Sequence, residues 1–176
     1  MKGYFTMTLA TKETPEVLIK KLFEDAKVPE RAHPTDSGLD LSVYKIDRVY
    51  NVNETLITPS GEDADEWLLK PGERALVNTG NAATVGVGYE IQIRPRSGLA
   101  LKNGLTVLNT PGTIDESYRG ALGVIVINLS NTAQKISKGM KIAQMVVCPV
   151  TLSPVVIVTD LDETVRGAGG FGHTGV

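Results

Sequence analysis

Leu105-Thr-Val-Leu-Asn-Thr-Pro-Gly-Thr-Ile-Asp-Glu-Ser-Tyr-Arg-Gly120 joins two runs of strand character. Ahead of the turn residues, Leu105 to Leu108 is short, apolar and partly β-branched. Behind them, Ala121-Leu-Gly-Val-Ile-Val-Ile-Asn-Leu129 is a β-branched run too short for a helix of that apolarity, so it reads as a buried strand. The two form a hairpin punctuated by Pro111, Gly112 and Gly120. Its connection carries an amide (Asn109), a carboxylate after an apolar residue (Asp115), an aromatic (Tyr118) and a base (Arg119). Connections of this length with their own chemistry are usually functional.

Outward from the hairpin, short strands and turns recur. Tyr89-Glu-Ile-Gln-Ile-Arg94 alternates with period two, Ala75 to Gly80 resumes a sheet after the Pro71-Gly72 turn, and Gln134 to Pro149 holds a Lys-Gly turn and an apolar strand. Residues 4–10, 45–58 and 150–158 add further strands, and Leu39 to Val43 follows a turn at Pro34 and Gly38, placing Asp40 at a loop-to-strand junction. After Pro95-Arg-Ser-Gly98 a short run can turn helically. The confident helix is expected over residues 14–27, where Thr14-Pro-Glu supplies a hydroxyl cap, a first-turn proline and an acidic start, and Val17, Leu18, Leu22, Phe23 and Ala26 share a face. Pro59 to Glu66 is an acidic, solvated insertion, and residues 159–176 form a glycine-rich arm unable to build a core element. The expectation is one all-β domain, a sandwich or barrel, with a short N-terminal helix.

With 176 residues, 41% of them hydrophobic, the chain can bury a real core, and no run is long enough to span a bilayer. A net charge of −2 disfavours polymeric nucleic acid as a partner but leaves local basic groups free to bind a small anion. One cysteine, Cys148, excludes an internal disulfide and reads as a small buried hydrophobe. The N-terminus lacks the basic and apolar regions of a secretory signal, so a cytoplasmic location is expected.

The candidate chemistry is anion binding and water activation. In the arm, Arg166-Gly-Ala-Gly-Gly-Phe-Gly-His-Thr-Gly175 combines a guanidinium, close-approach backbone N–H groups, a flat apolar ring (Phe171) and a hydroxyl (Thr174). It lacks the lysine and following helix of a P-loop, and composition alone also suits a flexible tail. Arg96-Ser97-Gly98 is a second candidate phosphate cradle. Asp115 reads as an Asx-turn former or as a general base. Two histidines and one cysteine far apart make no zinc pattern, whereas Mg2+ carried by phosphates, with Asp40 orienting its waters, suits an oxygen-only donor set.

Five segments in this order resemble the five motifs of the trimeric dUTP diphosphatases (dUTPases). They are Asp36-Ser-Gly-Leu-Asp-Leu41, Pro95-Arg-Ser-Gly-Leu-Ala100, Asn109 to Gly120, Lys138-Gly-Met-Lys-Ile-Ala-Gln144 and Arg166 to Gly175, covering roughly residues 28–176 with the strands between them. The resemblance implies a distorted jelly roll of the β-clip type, assembled as a homotrimer with shared active sites. It implies hydrolysis of dUTP to dUMP and diphosphate with Mg2+, which keeps dUTP low and supplies dUMP for thymidylate synthesis. On this resemblance Asp115 activates the attacking water and Asp40 holds the metal through water. Arg96, Ser97, Gly98 and Gln144 bind the phosphates. Asn109 reads uracil together with Gly112, Thr113 and Ile114. Tyr118 packs on the deoxyribose, Phe171 closes over the base, and Arg166, Gly172, His173 and Thr174 grip the γ-phosphate.

Three features depart from the family pattern. Met140-Lys141 stand where Asp-Arg is usual, which puts an ion pair and its bidentate contacts in question. His173 stands where serine is usual and brings a group that titrates near neutral pH to the triphosphate, where its protonated form would strengthen binding. The helix expected over residues 14–27 is the third departure, an addition without a functional account. The nearest rival, a dCTP deaminase, needs a carboxylate just after the hairpin, and Ala121 to Asn131 contains none. A non-catalytic nucleotide sensor is the rival from another class, and Asp115 speaks against it.

Overall fold

The computed structural model describes residues 14–57 and 65–170, so the strand expected over residues 4–10 and most of the acidic insertion lie outside it. Twelve strands and one short helix follow in chain order among the described residues. The larger sheet is built on β6 (Arg74–Val85), which pairs with β1 (Val17–Lys21), β3 (Lys45–Tyr50) and β10 (Ala121–Asn128). Strands β4 (Leu56–Ile57) and β8 (Leu105–Val107) close its edges. A second sheet runs in the order β2 (Leu39–Ser42), β12 (Lys141–Pro149), β7 (Tyr89–Pro95), β9 (Gly112–Ile114), and β5 (Glu66–Leu69) forms a two-stranded ribbon with β11 (Gln134–Ser137). Every ladder is antiparallel, and the strands wrap one core as a distorted jelly roll.

Alternation decides which side chains enter that core. Along β10, Leu122, Val124, Val126 and Asn128 point inward, and along β7, Ile91 and Ile93 do the same. Asn128 is the polar member of this set, and its burial is compensated. Its amide donates to the carbonyls of Leu69 and Thr132 at 2.9 and 2.8 Å, and its oxygen accepts from the N–H and hydroxyl of Ser130 at 2.9 and 2.8 Å.

The hairpin is present, with Leu105 opposite Asn128 and Val107 opposite Val126. Its insert does not stay in one sheet. β8 belongs to the larger sheet, whereas β9 pairs with β7 in the second, so the connection bridges the sandwich.

The helix expected over residues 14–27 is not formed. Val17–Lys21 is a strand, with Val17 opposite Val85 and Lys21 opposite Asn81. Val17 and Ile19 pack against the core while Leu18 is 61% exposed, a period of two and not 3.6. The far half of β6 needs a ladder partner, and a capped segment this short gains little as an isolated helix. The single helix of the described residues is α1 (Ser97–Asn103), where the sequence allows a short helical run. The strand expected over residues 150–158 is also missing. Val155 and Ile157 are 93% and 95% exposed, and no strand of the described residues pairs with this segment. Cys148 is half-buried and not fully enclosed, its sulfur accepting from Arg94 at 3.3 Å.

Residues 22–30 strap the first sheet to the second. Phe23 stacks on Tyr44 with centroids 4.4 Å apart, and the Lys138 ammonium lies 4.4 Å from the centroid of the Tyr44 ring. Asp25 accepts from the Tyr44 hydroxyl at 2.9 Å and pairs with Lys138 at 3.0 Å. The Lys138 hydrogen bond, then that of Tyr44, holds the Asp25 carboxyl below its ordinary 3.8, and Asp25 in turn raises Lys138 above 10.5.

Two outcomes are expected. Leu122 is fully buried, so Leu122→Ala costs about 2–5 kcal/mol in urea denaturation; a loss under about 1 kcal/mol would mean that this core is not formed. A carboxyl whose pKa is lowered by folding contributes stability that is present above its unfolded value and lost as pH falls through the folded one. Asp25→Asn therefore flattens the fall of thermal midpoint with acid below pH 3.8 and leaves its slope near neutrality unchanged, and an unaltered acid limb would refute the pairing.

Candidate active site

The register of β12 assembles one half of the site. Gln144 stands opposite Asp40 of β2 on one side and Arg94 of β7 on the other, and Ala143 opposite Pro95. Strict alternation would send Lys141 and Gln144, three residues apart, to opposite faces. Between Lys141 and Ala143 the pairing with β2 shifts by a bulge, and Ile142 and Ala143 are buried in succession. The extra residue restores Lys141 to the outer face beside Asp40 and Gln144.

Asp40 is the electrostatic centre of this half. Its backbone N–H donates to the Glu30 carbonyl at 2.8 Å, and its side chain is 13% exposed. One carboxylate oxygen lies 3.3 Å from Arg96 Nε and the other 2.8 Å from Lys141 Nζ, while Arg96 Nη1 donates to the Lys141 carbonyl at 3.3 Å. Arg96, the residue before α1, opens with Ser97 and Gly98 onto a cleft of about 610 Å3 that Asp36, Asp40 and Gln144 also line. Gly98 faces open space, so its backbone is approachable. Gln144 donates to the Pro95 carbonyl at 3.0 Å, and its amide oxygen fills the space beside Gly38, where a Cβ would stand 2.1 Å from it. Gly38 thus leaves the room in which Gln144 reaches the cleft.

The hairpin forms the other half. The Asn109 amide lies over Gly112, 3.3 Å from where a Cβ would sit, so a side chain at residue 112 would displace it. Thr113 is exposed and Ile114 packs partly on the core. Tyr118 folds over Gly120 and donates its hydroxyl to the Ala121 carbonyl at 3.0 Å, leaving the ring 43% exposed. Asp115 is exposed and lines a hollow of about 280 Å3 with Tyr89, Ser117 and Leu152. The Asp115 carbonyl accepts from the Tyr118 N–H at 3.1 Å, a main-chain turn that leaves the carboxylate available.

The structure therefore brings Asp40, Arg96, Ser97, Gly98 and Gln144 together, and separately Asn109, Gly112, Thr113, Ile114, Asp115 and Tyr118. The cleft and the hollow share no lining residue. Arg166 lies on the exposed arm in a turn closed by its own Nε bond to the Gly169 carbonyl at 3.0 Å. Phe171, Gly172, His173 and Thr174 lie outside the described residues. Two residues absent from the sequence reading of the cleft enter through α1: Lys102 and Asn103 line it, and Asn103 donates to Gln134 at 3.0 Å. The signal for Lys102 is its i, i+4 helical spacing from Gly98. Lys141, a departure in the sequence, proves to be a partner of Asp40.

Among the described residues no three His, Cys, Asp or Glu side chains converge on one point, so no cage made wholly of protein ligands is present. Two carboxylates lining a polar cleft, Asp36 and the ion-paired Asp40, fit a Mg2+ ion that keeps its waters and is held chiefly by phosphates. Asp40 is the residue that could hold it, through water. No helix of the described residues is long and apolar enough to cross a membrane.

Comparison with known proteins gives a concordant picture. The deoxyuridine 5'-triphosphate nucleotidohydrolase of Clostridium novyi (strain NT) is 47% identical over 161 residues, 92% of this chain and 99% of that protein. A mutant dUTPase of Staphylococcus bacteriophage 80alpha, solved with dUpNHpp, superposes with a TM-score of 0.72 at 26% identity, covering 92% of this chain and 99% of the other. A mutant dUTPase from phage phi11 of S. aureus, with a coordinated structural Mg(II) ion, shares the fold at 24% identity with a TM-score of 0.64 over 84% of this chain and 99% of its own. The family model for dUTPase matches residues 62–175, and with these relatives it places the chain in the dUTPase family.

Proposed function

We propose that this chain hydrolyses dUTP to dUMP and diphosphate, with Asp115 as general base and the Arg96-Ser97-Gly98 turn and Gln144 as phosphate cradle. The observation that carries the reading is the division of labour between the two surfaces. The cleft holds cations and amides but not the candidate base, and the hairpin carries the exposed Asp115 carboxylate and the Asn109 amide, with its cation Arg119 bonded back to Glu116. Each half needs the other, and the two share no lining residue within the chain. A homotrimer in which the cleft of one copy faces the hairpin of another, with the arm of a copy closing over both, supplies the missing half.

In this reading Asn109 offers one donor and one acceptor to the uracil edge, and the close packing over Gly112 fixes its amide. Thr113 and Ile114 wall the base, and a tight wall excludes a 5-methyl group. The Tyr118 ring, held by its bond to Ala121, lies under the sugar and leaves no room for a 2′-hydroxyl. Mg2+ bound to the triphosphate would offset charge on the phosphate oxygens, with Asp40 ordering its waters. Asp115 takes a proton from water as its oxygen bonds to the α-phosphorus; the bond from that phosphorus to the bridging oxygen breaks, and diphosphate leaves. Arg96, Ser97 and Gln144 hold the departing phosphates, while Arg166 with Phe171, Gly172, His173 and Thr174 closes the site. Exposure of Asp115 in the single chain agrees with a base that acquires its sheltered surroundings on assembly.

Assay of diphosphate and ammonia from dUTP, dTTP, dCTP and UTP with Mg2+ tests this. Diphosphate from dUTP alone is expected, and Asp115→Asn lowers that rate by roughly 10²–10⁴-fold; ammonia from dCTP would sink the reading. Mixing Asp115→Asn chains with chains truncated after Thr159 tests the shared site. Neither is active alone, and mixed trimers recover part of the native rate. No recovery would place the whole site within one chain.

A further inference from the structure

We propose that Lys141 is a positioning residue of the phosphate cradle, acting through Asp40 to keep the Arg96 guanidinium aimed into the cleft. The inference rests on the reading of Arg96 as a phosphate ligand. It assigns work to Lys141, which does not itself line the cleft.

Arg96 has a long side chain with many rotamers, and an unrestrained guanidinium would lose that freedom each time an anion bound. Here two of its nitrogens are already fixed, Nε by Asp40 at 3.3 Å and Nη1 by the Lys141 carbonyl at 3.3 Å. Its other terminal nitrogen, Nη2, has no hydrogen bond within the described residues, and a guanidinium carries five N–H donors, so a free edge faces an incoming phosphate.

The aim of that edge depends on how firmly Asp40 is held. A carboxylate held by one oxygen can swing about its terminal bond; one paired through both oxygens with cations from different segments cannot swing without opening an ion pair. Asp40 is anchored by both, with Lys141 Nζ on its second oxygen at 2.8 Å. The three residues stand on adjacent strands, Asp40 on β2, Lys141 on β12, and Arg96 just past β7, so the triad is cross-braced by the sheet. Lys141 reaches this position through the β12 bulge. An exposed ion pair is ordinarily worth little, but Asp40 is only 13% exposed, and the three charges form a network. Loss of the Lys141 ammonium leaves Asp40 tied to Arg96 alone, and the pair can then collapse toward each other and away from the ligand.

The test is calorimetric binding at 0.15 M salt, where long-range effects of exposed charge are screened. Two probes are used, dUpNHpp with Mg2+ and inorganic triphosphate without metal, on the native chain, Lys141→Met, Lys141→Arg, Asp40→Asn and the double variant Asp40→Asn/Lys141→Met. Lys141→Met is expected to weaken both probes by about tenfold, the scale of losing one member of a partly buried charge network. Lys141→Arg restores binding to within about threefold of native, and adding Lys141→Met to Asp40→Asn costs less than about twofold, because the route through Asp40 is already cut.

An equal tenfold loss in both backgrounds would mean that Lys141 acts by its own charge or contact, and would overturn the proposal. So would a native-like Lys141→Met. If inorganic triphosphate shows the coupling while dUpNHpp does not bind, the positioning role stands and the nucleotide reading falls. If dUpNHpp binds without any coupling, the reverse holds, and if neither anion binds the native chain, both fall.

Discussion

The site depends on the pairing of β12 between β2 and β7. That ladder is what brings a loop-to-strand aspartate, the arginine at the end of a neighbouring strand and a mid-strand glutamine to one face. Side-chain direction in a strand has period two, so a one-residue slip of β12 would bury Gln144 and expose Met145. Burial of Ile142, Ala143 and Met145 makes that slip expensive, and the bulge that accompanies it carries Lys141 to the cleft side. Core packing and ligand geometry are thus set by the same register.

The division of the chemistry over two surfaces follows from the fold. The hairpin insert leaves the larger sheet after β8 and joins the edge of the second through β9, so Asp115 and Tyr118 project from one rim of the sandwich. The cleft forms where α1 follows β7, beside the β2 and β12 ends. Within one chain the cleft and the hollow beside Asp115 share no lining residue. Joining copies side by side requires only complementary rims. In the proposed assembly Asp115, exposed in the single chain, would gain neighbouring phosphates and drier surroundings together.

Much of this was legible in the sequence. The short strands, the hairpin and the Pro71-Gly72 turn all follow from period-two alternation and turn residues, and Asp40, Arg96 and Gln144, which lie in three of the five ordered segments, line one cleft. The error over residues 14–27 came from local signals that were sound in themselves. A hydroxyl, a proline and an acidic turn favour a helix start, but the open half of β6 offered Val17 and Ile19 a ladder and a core contact that no local rule records. The apolar run at 150–158 failed in the opposite way. It has strand composition and no strand partner among the described residues, and composition cannot report a missing partner. The placement of Lys141 was hidden because a bulge changes the parity of a strand, and its trace in sequence, two adjacent apolar residues in Ile142 and Ala143, is common. The positions of Phe171 to Thr174 lie outside the described residues.

The extended arm carries a cost for handling the chain. Val155-Val-Ile-Val158 is β-branched, uncharged and held outward, the composition of segments that add to open sheet edges and seed aggregates. Two features of its flanks oppose this. Pro154 cannot donate to a growing ladder, and Asp160, Asp162 and Glu163 set like charges side by side when identical arms stack in register. The three carboxylates beyond the valine run are thus the gatekeepers that keep one exposed arm from templating the next.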